Sequence, residues 1–375
     1  MHCRCRSRFC FVEDFTMCCY FNNLEIVLCR ASYKVFWILR IQLGAVNSIL
    51  WKNKFLLLKA MLLVTILMLP NKIVFGQAFQ EELVEMQLPQ GILIKGTITS
   101  PTANKPCPVV LIISGSGPTD RNGNNPYGIS ANYLKMLADN LAQQGIASLR
   151  YDKRGIGASA CKIKEKNLIF DDYVDDASLW VTKLRQDKRF SSVIVAGHSE
   201  GALIGILVAE KQPIDGLISL SGAGESLQKT ILRQIAERQP QILAKSTEIV
   251  ASLERGVMIK VDNPELQFLF RSGVQPFLIS EFRYDPSVEI RKLKIPILLI
   301  QGSRDLQINE LDAKALKAAN GKAKLVIIEG MNHMLKNSPP NIKANIATYS
   351  NPNIPLAKPL IPAVTNFVKQ IDAKK

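Results

Sequence analysis

Three residue types set the chemistry open to this chain: a serine in a G-x-S-x-G pentapeptide, one usable histidine, and an aspartate that precedes that histidine. The serine is Ser199, in Gly197-His198-Ser199-Glu200-Gly201. A β-branched run, Val193 to Ala196, leads into it, and an apolar helical run leaves it from Ala202. The pentapeptide alone recurs by chance. Between a strand and a helix it predicts a sharp, strained corner that lifts the hydroxyl above the sheet edge. Gly197 and Gly201 supply the small residues such a turn needs, and the helix N-terminus behind it favours nearby negative charge.

A serine hydroxyl needs a base, and histidine suits because it titrates near neutrality. The chain has three histidines. His2 lies in an atypical leader, and His198 cannot aim its ring at the hydroxyl of its own neighbour. That leaves His333, in Glu329-Gly330-Met331-Asn332-His333-Met334, a loop after the last predicted strand. Most loop histidines are inert surface. This one sits at the carboxyl edge of the strands, where catalytic groups gather in α/β sheets. The imidazole needs a carboxylate to fix its tautomer, and Asp305, in Gly302-Ser303-Arg304-Asp305, follows a buried strand at the same edge. Asp312 is the fallback, although its place inside a predicted helix reads as a solvated face; Glu310 is weaker. Backbone N–H groups must hold the developing oxyanion. Glu200, after the serine, is one expected donor. The other should come from Ser114-Gly115-Ser116-Gly117-Pro118-Thr119-Asp120-Arg121. Pro118 has no N–H, so Ser116 is favoured, with Gly117 the neighbour to check. Gly115, Gly117, Asp120 and Arg121 are candidates for the site mouth, although a turn-fixing ion pair suits Asp120 and Arg121 better. A phosphate-cradling reading of this loop is weak, because neither nucleotide glycine motif is present.

The chain has 375 residues and a formal charge of +15. Six of its eight cysteines fall in the first 29 residues. A Lys-flanked apolar run, from Lys54 to Leu69, then precedes Val74-Phe75-Gly76. That is the layout of a secretory signal; the apolar core of roughly ten residues is short for a membrane span. Residues 51–77 are therefore expected to be a signal peptide and cleavage region, with a retained N-terminal anchor as the alternative. Residues 1–50 are expected to be a non-native or atypical leader, since a signal should begin near the true start. A metal or disulfide module there is disfavoured by the cysteine spacing. Residues 78–375 keep a charge of only about +8, spread along the chain, which bears on solubility rather than fold. No basic helix or Arg/aromatic interleaving suggests nucleic acid. Cys107 and Cys161 should lie at opposite ends of strands about 20 Å long, too far apart to bridge, so both are expected to be free thiols.

Beyond residue 78 the pattern alternates. Leu83–Leu88 and Ile92–Thr99 read as an antiparallel hairpin. Strands are predicted near 109–114, 147–151, 193–196, 216–220, 296–300 and 323–328, with helices near 133–144, 173–185, 202–210, 311–319 and 363–371. This predicts a mostly parallel sheet with helices on both faces. The alternation breaks at 222–293, a charged helical stretch read as a cap, and 337–359 reads as a loop. Asp152 and Arg154 are expected in structural pairs.

Taken in order, Gly115-Ser-Gly-Pro-Thr-Asp-Arg121, Tyr151-Asp-Lys-Arg-Gly-Ile-Gly157, Gly197-His-Ser-Glu-Gly201, Gly302-Ser-Arg-Asp305 and Gly330-Met-Asn-His333 resemble the α/β-hydrolase superfamily. The chain is most similar to secreted bacterial carboxylesterases related to serine peptidases of the prolyl-oligopeptidase and aminopeptidase types. One departure is Ser114-Gly115-Ser116, in place of the His-Gly-Gly loop of many lipases. The resemblance implies the α/β-hydrolase fold with a helical cap and a Ser199–His333–Asp305 triad, the order Ser, acid, His being that of the superfamily. It implies an exported enzyme that cleaves short to medium acyl esters of small molecules through an acyl-enzyme. No metal or organic cofactor is called for, and no nucleic-acid or lasting membrane partner. Amide or peptide cleavage, acyl transfer to another acceptor, and an inactive fold used for binding remain open.

Overall fold

A computed structural model describes residues 9–12, 16–21, 24–31, 34–41 and 79–375, apart from 103–104 and 160–162. The expected signal region, 51–77, lies outside the described residues, as does Cys161. The chain divides into two compact units, 1–74 and 75–375. In the first, strands Phe9–Val12, Thr16–Phe21, Leu24–Ala31 and Lys34–Ile41 form an antiparallel meander.

The second unit holds an eight-stranded sheet. Its strands are β1 (Phe79–Gln87), β2 (Leu93–Pro101), β3 (Cys107–Ile113), β4 (Ala147–Tyr151), β5 (Phe190–His198), β6 (Gly216–Leu220), β7 (Ile297–Gly302) and β8 (Lys324–Ile328). Their spatial order is β8-β7-β6-β5-β3-β4-β2-β1. β3 to β8 run parallel, while β1 and β2 form the expected antiparallel hairpin at one edge. The chain leaves β3 toward β4 on one side and β5 toward β6 on the other. The carboxyl ends of β3 and β5 therefore open a crevice at a switch point, the usual place for ligands in such sheets.

The central strands are apolar throughout because both faces are covered. Along β3, Val109, Leu111 and Ile113 join one core, while Val110 and Ile112 join the other. The first core packs under α2 (Phe170–Gln186) and α3 (Glu200–Lys211), around Trp180 and Ile204. The second packs under α1 (Tyr133–Gln143) and the C-terminal helix Leu360–Asp372, around Leu137 and Phe367.

Between β6 and β7 come five helices: α4 (Leu227–Arg238), α5 (Leu243–Glu254), α6 (Pro264–Phe270), α7 (Gln275–Glu281) and α8 (Pro286–Lys292). The last two were not legible in the sequence. Each is seven residues long with proline at its start, too short to show a helical period. The five-helix stretch carries its own core of Ile235, Ile249, Leu253, Leu266 and Phe270. After it comes α9 (Glu310–Ala319). The predicted 337–359 loop in fact contains a short helix, α10 (Ile342–Ala347), whose first turn is capped by Asn341 accepting from Ala344 N–H at 3.0 Å. The C-terminal helix Leu360–Asp372 is α11.

Asp312 corrects a second expectation. It does not lie on a solvated face: it is 5 % exposed. Its carboxylate accepts from Gly224 N–H at 3.0 Å, from Asn309 N–H at 3.0 Å and from the Arg233 guanidinium at 3.0 Å. It therefore fastens α4 and the start of the five-helix stretch to α9 and cannot serve as a second acid for His333. Removing one partner of a buried charged pair typically costs about 3–5 kcal/mol. Arg233 is partly exposed, which puts Asp312→Ala near the low end, about 3 kcal/mol, measurable as a shift in the urea unfolding midpoint.

Candidate active site

The corner at Ser199 depends on the absence of side chains around it. A Cβ on Gly197 would overlap the Gly201 carbonyl, and one on Gly201 would meet Ile113 O at 2.5 Å. β5 and α3 can therefore approach each other, and β3, only through these two glycines. Ser199 itself has φ 55° and ψ −122°, a region costing a non-glycine residue about 1–3 kcal/mol. Its backbone is held there by Ser199 N–H donating to Leu220 O at 2.9 Å and Ala202 N–H donating to Ser199 O at 2.9 Å. Its hydroxyl does not cap the helix behind it, and the residue is half-buried.

His333 and Asp305 come together as expected. β7 and the His333 loop approach closely enough that a Cβ on Gly302 would overlap Met331 O. Asp305 Oδ1 accepts from Gln307 and Ile308 N–H at 2.8 and 3.0 Å, while Oδ2 accepts from His333 Nδ1 at 2.8 Å. A carboxylate here can only accept, so His333 carries its proton on Nδ1 and presents Nε2 as the acceptor. Burial pushes the Asp305 carboxyl up, but the His333 charge and these hydrogen bonds outweigh it and hold it below the ordinary range. Beyond the carboxylate the loop is pinned by Asn332, fully buried. Its amide donates to Asn345 Oδ1 at 2.9 Å and Thr348 Oγ1 at 2.7 Å.

His198 plays a part the sequence did not disclose. Its Nε2 lies 2.8 Å from His333 O and its Nδ1 lies 3.1 Å from the Tyr133 hydroxyl. A carbonyl can only accept, so Nε2 carries the proton and Nδ1 accepts from Tyr133. The ring thus ties the residue before Ser199 to the backbone of His333, with the two imidazoles 4.7 Å apart. Complete burial, helped by the His333 charge, lowers its pKa to about 3. The neighbouring G-x-S-x-G motif hid this role, because adjacency to the serine explained the histidine away.

The loop after β3 also lies against the corner: a Cβ on Gly115 would stand 3.1 Å from Ser199 Cβ. Ser116 follows it. Thr119 Oγ1 donates to Ser116 O at 2.8 Å, and Ser114 Oγ donates to Thr119 O at 3.2 Å, so the loop is closed on itself. Gly117 takes φ +67°, which a side chain would strain. Arg121 pairs with Asp152 at 2.8 Å and donates to Thr97 Oγ1 at 3.0 Å. Asp120 caps its own turn by accepting from Asn122 and Asn124 N–H, and also lines a cleft of about 460 Å³ with Pro118, Asn124, Ile129 and Ile156. Arg154 pairs with Asp172 and Asp176 as anticipated. Cys107 pairs with no cysteine among the described residues.

The fold matches solved structures. The chain overlays Est1E from Butyrivibrio proteoclasticus with a TM-score of 0.52 at 18% identity, covering 78% of this chain and 99% of that one. A Pyrococcus furiosus esterase gives 0.50 at 18% identity, over 78% and 92%. The chain is an α/β-hydrolase in fold. The family described as serine aminopeptidase, S33, matches residues 127–263, a span that holds Ser199 but neither Asp305 nor His333. Esterase EstD of Thermotoga maritima is 30% identical over 247 residues, 64% of this chain and 58% of EstD. The chain thus spans less than two thirds of that relative's length.

The neutral state of His198 has a measurable consequence. The unfolded chain binds a proton there below about pH 6.5, and the folded chain only near pH 3. Its contribution to stability is therefore complete above 6.5 and lost as the pH falls toward 3. The unfolding free energy of the wild type should fall more steeply over that window than that of His198→Gln. Equal slopes in urea titrations at several pH values would remove this account.

Proposed function

We propose that the protein is a serine hydrolase of carboxylic esters with short to medium acyl groups, with Ser199 as nucleophile, His333 as general base and acid, and Asp305 as its orienting carboxylate. The observation that carries the reading is the strained, uncapped Ser199 on a glycine-only corner, with the Asp305–His333 pair at 2.8 Å held to that corner through His198. In this reading His333 Nε2 takes the Ser199 proton as Oγ attacks the ester carbonyl. The backbone N–H groups of Glu200 and Ser116 receive the oxyanion, and the alcohol leaves with the proton from His333. Water, activated by the same imidazole, then releases the acid. Ser199 Oγ and His333 Nε2 make no hydrogen bond among the described residues, and such contacts often close only around substrate. The similarity to EstD supports an ester as the substrate.

Amide cleavage is the second reading, favoured by the match of residues 127–263 to serine aminopeptidases. Turnover of a p-nitrophenyl acyl ester against an aminoacyl p-nitroanilide separates the two; faster amide turnover would replace the ester reading. A fluorophosphonate probe should label the wild type and not Ser199→Ala, and an unlabelled wild type would remove the nucleophile. Asp305→Asn should lower kcat by about 10⁴-fold, as misorientation of the imidazole does in triads of this kind.

The reading includes export. It is supported by the Lys54 to Leu69 run and the small residue Gly76, with residues 1–50 outside the natural product and the five-helix stretch, within residues 222–293, as a cap. Ester-cleaving activity should appear outside the cytoplasm in a species whose N-terminus, by Edman sequencing, falls close to Gln77. A species that retains the cysteine-rich leader would refute the boundary.

A further inference from the structure

We propose that Lys153 is a positioning residue that ties both halves of the oxyanion hole together. The inference rests on the esterase reading and adds to it a residue that touches neither substrate nor the triad. Lys153 follows β4 and is 1 % exposed. A buried ammonium is costly unless its donors find partners, and those of Lys153 are specific. Nζ donates to Gly115 O at 2.6 Å and to Glu200 Oε2 at 3.1 Å, and it lies 4.8 Å from the centre of the Tyr173 ring.

The geometry of the peptide gives these contacts their meaning. Gly115 O and Ser116 N–H belong to one trans peptide plane and point in opposite directions. Holding the carbonyl on a buried cation aims the Ser116 N–H the other way, on the face of the loop away from Lys153. An ammonium on the carbonyl also polarises the amide and strengthens the N–H as a donor. The second contact reaches the side chain of Glu200, whose backbone N–H is the other donor. One cation therefore bears on the peptide that carries the first donor and on the residue that carries the second. Glu281 on α7 is buried against the same group. Burial, and then the Glu200 charge, raise its carboxyl well above the ordinary range. The carboxylate that reaches the ammonium is that of Glu200.

The test compares wild type, Lys153→Met and Glu200→Leu in hydrolysis of p-nitrophenyl acetate, with inhibition by a trifluoromethyl ketone that forms a tetrahedral adduct on the serine. Turnover by the wild type and its loss in Ser199→Ala come first. Without them the esterase reading has failed, rather than this one. Given them, Lys153→Met should lose kcat toward the 10²–10³-fold drop of a missing oxyanion donor, with KM within about threefold. Its trifluoromethyl ketone Ki should rise in parallel with the fall in kcat/KM. Glu200→Leu, which leaves Lys153 on Gly115 O alone, should show the same split to a smaller degree, and it carries the test if Lys153→Met does not fold. A folded Lys153→Met with kcat within twofold of wild type overturns the proposal. So does a loss in either variant that falls on KM while the Ki is unmoved.

Discussion

The corner between β5 and α3 is the constraint on which the rest depends. Three backbones, those of β3, β5 and α3, meet where no side chain fits, and the crowding forces a serine into a conformation it would not choose. The strain of about 1–3 kcal/mol is held by the central strands β3, β5 and β6, which are largely buried on both faces and hydrogen-bonded on both sides. The flat apolar character of β3, β5 and β6 thus bears on chemistry as well as on stability. A softer sheet would let Ser199 relax, and its hydroxyl would turn toward the helix N-terminus it now leaves uncapped.

Around that corner, polar contacts link loops that are far apart in the chain. His198 reaches 135 residues ahead to the carbonyl of His333. Asp305 receives the His333 ring, and its own loop closes over it through two backbone N–H groups. Asn332 ties the same segment to α10. Each of these side chains is buried and each has its partners, so the arrangement meets the condition under which buried polar networks confer order rather than cost. The proposed base is therefore fixed by its backbone as much as by its carboxylate.

Much of the fold was legible because both of its signals are strong. Continuous β-branched runs marked the buried strands, and 3.6-residue spacing marked the long helices, so β4 and β6 fell on their predicted bounds and α9 begins one residue before its own. What escaped was short or long-range. α7, α8 and α10 span two turns or fewer and owe their ends to proline, aspartate and asparagine caps. Asp312 looked solvated because a helix position says nothing about a guanidinium arriving from another element. The Asp305–His333 pairing could be read from chain order and sheet edge. The role of His198 could not, since its two partners lie 65 and 135 residues away. Lys153 was hidden between Asp152 and Arg154, whose charges suggested loop pairing for the whole segment.

The five-helix stretch packs around a centre of its own and is fastened to the sheet by polar and apolar contacts together. Arg233 bridges to Asp312, Gln234 donates to Gln307 O at 2.9 Å, and Ser280 Oγ accepts from Phe170 N–H at 2.7 Å. Val274 packs against both apolar centres, and Phe277 on α7 faces the sheet side. Substitutions in contact-free regions add, whereas neighbours couple. Changes around Ile249, Leu253 and Leu266 should therefore combine additively with changes around Trp180 and Ile204, with Val274, Phe277 and Ile290 among the places where the two sets interfere. For laboratory evolution the centre of the five-helix stretch is a territory of its own, and variation gathered there meets that of the sheet along the border that Val274, Phe277 and Ile290 form.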